Sequence, residues 1–133
     1  MTDSRQDMIA TITAALPDVL AIYIFGTHGS DFERNDSDID LAVLASRPLD
    51  SVKVWELSQQ LAAELRHEVD LVDLAKASTV LQAQIVSSGE RLWCDSSAHC
   101  DRYEVYVLSA YARLNEERRY ILDDVLSRGS IYG

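Results

Sequence analysis

Stabilising crosslinks, chain breakers and positive charge are all scarce in this chain of 133 residues. It has two cysteines, two prolines and five glycines. Cys94 and Cys100 are too few for the disulfide framework of a small secreted domain. Nothing at the N-terminus reads as a leader, so a reducing cytoplasm is the expected setting. Cys94, His99 and Cys100 also fall short of a closed zinc site, which wants four well-spaced ligands. They read as two incidental thiols in a loop. Lysine and arginine number 12 against 22 acidic residues, a net charge of −10. Direct nucleic-acid binding is not expected, because counterion release needs clustered basic residues. No apolar run approaches the roughly 20 residues of a membrane span. What is present is 47% hydrophobic residues, enough for the core of one domain, residues 1–133.

The elements follow from periodicity. Met8, Ile9, Ile12, Ala15 and Leu16 form a helical stripe that Asp3 or Ser4 can cap and Pro17 ends. Val19 to Phe25 reads as a buried strand and Gly26 to Asn35 as a turn. Ile39 to Leu44 is a second strand. Leu49-Asp50-Ser51 opens a helix on which Val54, Leu57, Leu61 and Leu65 recur through Arg66. "VDLVDL", Val69 to Leu74, alternates as a third strand. Ser78 caps a short helix closed by Gly89 in the left-handed position. Arg91 to Cys94 is a short edge strand, and a long helix runs from about Asp101 to Ser127, stopped near Gly129. The order predicts an α/β (α+β) fold, a small sheet flanked by helices, with a core over about 19–94.

The chemistry concentrates in "FGTHGSDFERNDSDIDLAVL". Side chains alternate along a strand, so Asp38 and Asp40 share a face. Two carboxylates on one face repel unless a cation lies between them. Mg²⁺ suits such a pair, since it takes one or two carboxylates and completes its shell with phosphates. A solvated acidic turn is the plain alternative. An EF-hand is excluded, because its sixth and twelfth positions here are Leu41 and Arg47. Asp70 supplies a third carboxylate on another strand. Asp73 lies on the opposite face at the strand exit, where a capping aspartate is ordinary, so Asp70 is favoured. Gly26 lets the chain turn sharply and a ligand approach closely. Thr27, Gly29 and Ser30 add N–H and hydroxyl donors for an anion nest. No Gly-Lys-Ser/Thr follows, so the turn is not a P-loop.

With ten residues between Thr27 and Asp38, this segment resembles the Gly-Ser, ten residues, Asp-x-Asp motif of the polymerase β-like nucleotidyltransferases, in their minimal branch. "VDLVDL" resembles the strand of that family's third carboxylate. The resemblance implies a mixed sheet with flanking helices. It implies that Gly26 and Thr27 hold the terminal phosphates of ATP, with Ser30 a further candidate for binding it, and that Asp38, Asp40 and Asp70 carry two Mg²⁺ ions and the catalysis. AMP is then transferred and pyrophosphate leaves, with Asp70 the candidate general base. Threonine stands at 27 where the family has serine; it keeps the hydroxyl but adds a methyl to the phosphate pocket. His28, Arg34 and Lys53 are further candidate contacts.

Small members of this kind resemble the antitoxin of a two-gene system whose partner is a HEPN-domain ribonuclease toxin, AMP being attached to a toxin tyrosine. This chain is not itself the ribonuclease, whose Arg, four to six residues, then His is missing; Arg91 and His99 have seven residues between them and are expected in a loop. An acidic chain suits a basic partner. Tyr103, Tyr106, Val107, Ala110, Tyr111 and Leu114 line one broad face of the last helix, part core and part candidate partner surface. Transfer to a small hydroxyl compound such as an aminoglycoside, and an inactive module that blocks the toxin by contact, are the alternatives.

Overall fold

The computed structural model describes residues 4–26 and 38–132. Among the described residues, four helices and four strands run in the order α1 (Ser4–Ala15), β1 (Val19–Phe25), β2 (Ile39–Ala45), α2 (Ser51–Leu65), β3 (Val69–Asp73), a 3₁₀ turn (Leu74–Lys76), α3 (Thr79–Ser88), β4 (Glu90–Cys94) and α4 (Ser97–Tyr132). The sheet order is β3-β2-β1-β4. β1 is antiparallel to β2 and β4, whereas β2 and β3 are parallel. The sheet is therefore mixed, as expected. The parallel pair needs a crossover, and α2 supplies it.

Alternation along the inner strands builds a core on each face. Ile22, Ile24, Ile39, Leu41 and Val43 meet Met8 and Ile12 of α1 and Leu57 and Leu61 of α2. Ala21, Tyr23, Ala42 and Leu44 meet Leu74, Ile85 of α3 and Cys100 of α4. Two of the helices are placed by local chemistry. Asp50 caps α2 by accepting the Val52 N–H at 3.0 Å. Arg66 closes α2 in a left-handed conformation, φ 57°. Ser78 caps α3.

Three expectations are corrected. Gly89 is extended, φ −82° and ψ 176°, not left-handed. Glycine is needed there for space, since a Cβ would lie 2.5 Å from the Ile85 carbonyl oxygen and 3.2 Å from Phe25 Cβ. α4 begins at Ser97 and continues through Gly129; one glycine costs only about 1 kcal/mol in a helix and does not by itself end it. Consequently Cys94, Arg91, His99 and Cys100 do not share a loop. Cys94 and Arg91 are on β4, His99 and Cys100 on α4. Cys100 is buried, its thiol directed at the Leu20 carbonyl at 3.6 Å, and burial pushes its pKa up to about 12.

A polar network ties α4 across the sheet. Tyr23 Oη donates to Glu104 Oε2 at 2.8 Å. Arg91 donates to Asp101 at 3.1 Å and to Glu104 at 2.9 Å. Burial, then the bond to Glu104, raises the Tyr23 pKa, so the phenol stays a donor. Nearby, Tyr103 Oη is buried with no hydrogen-bond partner among the described residues, and burial lifts its pKa to about 12. An unpaired buried hydroxyl costs about 1–3 kcal/mol. Tyr103→Phe is therefore expected to stabilise the chain by about 1 kcal/mol, read from its urea midpoint. A loss of stability would mean that the hydroxyl has a partner.

Candidate active site

The candidate catalytic end of the sheet is where β1 finishes and β2, β3 and β4 begin. Asp40 is the second residue of β2 and Asp70 the second of β3. They are direct partners in the parallel ladder, Asp40 opposite Asp70. Neighbouring strands lie about 4.8 Å apart, and paired residues project to the same face. Both belong to the face of Ala42 and Val72, the one covered by α3 and α4. Asp38 stands just ahead of β2 and is exposed, Asp40 is half-buried, and Asp70 is exposed. The pair is thus open to solvent at the sheet end while its backbone is fixed in the ladder.

Gly26 closes the site from β1. Its φ is +90°, and a Cβ there would fall 2.7 Å from Asp40 Oδ2. Only glycine accommodates both the backbone angle and the carboxylate pressed against it. The register explains the meeting, since Phe25 pairs with Asp40. The turn expected to bind phosphate therefore leaves β1 directly beside the central carboxylate.

Asp73 is committed elsewhere. It caps the 3₁₀ turn by accepting the Ala75 N–H at 3.2 Å and pairs with Lys76 at 3.7 Å. Lys53 is at the other end of the molecule. It lines a cavity with Ala15, Leu16 and Gln60, because β2 carries the chain the full length of the sheet before α2 begins. Thr27, His28, Gly29, Ser30 and Arg34 lie outside the described residues. Sequence reasoning missed Arg5 and Glu90, which form a 2.6 Å ion pair at the catalytic end. They are 85 residues apart, and no local pattern links them.

Among the described residues, no group of three or more His, Cys, Asp or Glu could hold a metal ion. The donor chemistry still fits Mg²⁺: hard carboxylate oxygens, paired in register and open to solvent, beside a glycine turn. Mg²⁺ normally completes its shell with water and substrate phosphate rather than with a full protein cage. Among the described residues, no helix is long and apolar enough to cross a membrane.

A mixed sheet whose open end holds two in-register aspartates against a glycine turn is the frame of a nucleotide-transferring enzyme. The chain belongs to the family Polymerase beta, Nucleotidyltransferase, whose profile matches residues 7–98. It is 43% identical over 124 residues to Protein adenylyltransferase MntA of Shewanella oneidensis, covering 93% of this chain and 88% of that protein. Among solved structures it is similar to a chain of a toxin–antitoxin complex with AMP-PNP (TM-score 0.80, 40% identity, 92% of this chain and 98% of that one). It is also similar to a chain of the tri-AMPylated Shewanella oneidensis HEPN toxin in complex with MNT antitoxin (TM-score 0.77, 39% identity, 92% and 96% covered).

Proposed function

We propose that this chain is an antitoxin that transfers AMP from ATP to a tyrosine of a partner HEPN ribonuclease toxin, and so silences it. The observation that carries the reading is Asp40 paired in register with Asp70, with Gly26 pressed against Asp40. The adenylyltransferase and the AMPylated toxin complex among the similar proteins support it. Sheet and turn, over about 19–94, form the catalytic core. The reaction belongs in the cytoplasm, where ATP and RNA-cleaving partners meet.

Gly26, Thr27 and Ser30 would hold the terminal phosphates through backbone and hydroxyl donors. Asp38, Asp40 and Asp70 would carry two Mg²⁺ ions, which supply charge neutralisation for the attacking and leaving oxygens. Asp70, on the open edge strand, is assigned the role of general base: it accepts the proton of the phenolic hydroxyl. A new bond forms between the phenolic oxygen and the α-phosphorus. The bond from that phosphorus to the bridging oxygen breaks, and pyrophosphate leaves. A phenol is a suitable acceptor because its pKa of about 10 is far below that of an aliphatic alcohol.

The test uses the chain, Mg²⁺, a co-expressed HEPN protein and ATP labelled on the α- or the γ-phosphate. Label from the α position is expected on a toxin tyrosine, lost on adding EDTA. Label from the γ position alone would mean phosphorylation. Label from neither, with the toxin still inhibited, would mean inhibition by contact.

A further inference from the structure

We propose that the distal half of α4 is a docking arm for the acceptor protein, set beside the catalytic end of the sheet. The inference rests on the acceptor being a protein, as proposed above.

The course of α4 gives it this position. Cys100 reaches Leu20 at the start of β1, and Glu104 reaches Tyr23 at its middle. Leu108 and Tyr111 then share a groove of about 420 Å³ with Ala83, Gln84 and Ser87 of α3. α3 leads directly into Gly89, which abuts Phe25 at the catalytic end. α4 therefore runs alongside β1 toward Gly26 and reaches that level near Tyr111. The helix continues unbroken to Tyr132. At 1.5 Å per residue, 112–127 alone extend about 24 Å past the sheet.

The arm is built to be covered. Val107 is buried, and Tyr111 and Leu114 are half-buried. At three- and four-residue steps the same stripe continues through Arg118, Ile121, Leu122 and Val125. Yet every side chain from 115 to 127 is exposed. Tyr120 is 78% exposed, Leu126 68% and Ile121 62%. The four large apolar residues on or beside the stripe, Ile121, Leu122, Val125 and Leu126, present on the order of 400 Å², about half of the roughly 800 Å² that one partner contributes to a standard interface. Glu117 and Asp124 border the stripe, on a chain of net charge −10. Arg118 sits within the stripe and Arg119 on its other flank, so an apolar centre with a mixed-charge rim faces the partner, which fits a protein with an apolar groove or helix face. The acceptor is the occupant we assign, because the arm leaves the molecule at the end where its tyrosine must enter.

The experiment combines Ile121→Glu, Leu122→Glu and Val125→Glu in one full-length chain, with Trp55→Glu on α2 as an equally exposed control (62% exposed). Binding to the co-expressed HEPN protein, kcat/KM for its labelling and affinity for AMP-PNP are measured. The arm variant is expected to lose partner affinity by about 100-fold or more, in the manner of a disrupted hot spot. Its kcat/KM should fall in parallel, with AMP-PNP affinity unchanged and the control like wild type. An arm variant that still binds the partner like wild type overturns the proposal. So does a wild-type dimer that the variant splits without affecting the partner. Partner binding that needs the arm but yields no AMP transfer would instead overturn the adenylyl-transfer reading and leave the arm in place.

Discussion

Asp40→Asn and Asp70→Asn are each expected to remove nucleotide transfer by at least about 10²–10³-fold, the scale on which one charge-stabilising group is lost from an active site. The two residues face the same side of adjacent strands in direct register. Asparagine keeps the shape but removes the charge that would neutralise a cation and, at position 70, the base. Asp38→Asn should act in the same direction. Stability should hardly change, since neutralising one of two neighbouring carboxylates relieves repulsion. Asp73 provides the contrast. Its side chain caps the 3₁₀ turn, so Asp73→Ala should cost about 1 kcal/mol of stability while transfer per folded molecule is kept. Thermal melts and a labelled-ATP assay on the same preparations separate the two effects. An inactive Asp73 variant beside an active Asp70→Asn would show that the third carboxylate is misassigned.

Gly26→Ala should impair both fold and chemistry. A backbone at φ +90° disfavours any side chain, and the new Cβ would lie 2.7 Å from Asp40 Oδ2. Left-handed geometry costs a non-glycine residue roughly 1–2 kcal/mol. Relief requires the Asp40 carboxylate to rotate or the end of β1 to move. Either displaces the turn and the carboxylate relative to each other. A misplacement of about 1 Å is enough to lose on the order of 10²-fold in rate. The expected result is therefore a rate loss larger than the unfolded fraction explains, measured as kcat at saturating ATP beside a urea melt. Wild-type kcat in a correctly folded Gly26→Ala chain would mean that the close approach has no part in catalysis.

The sequence alone determined most of the elements and named the candidate carboxylates. A strand's period of two set Asp70 against Asp73 and assigned Asp38 to the face of Asp40, although Asp38 stands just ahead of β2. Caps at Asp50 and Ser78 were readable because each bonds within three residues of itself. Local patterns failed where the deciding atoms are distant. Gly89 looked like a helix cap, but the Ile85 carbonyl and Phe25 decide its need for glycine. The end of α4 was misjudged because a single glycine cannot stop a helix whose other residues favour it. Only the tertiary structure decided that Asp40 stands opposite Asp70, because register between strands about 30 residues apart is fixed by pairing and by which face is buried. It alone set Gly26 against Asp40, tied Arg5 to Glu90, and aimed α4 past the catalytic end. Periodicity says which face of a helix is apolar; only packing says where the sheet beneath it stops and leaves that face uncovered.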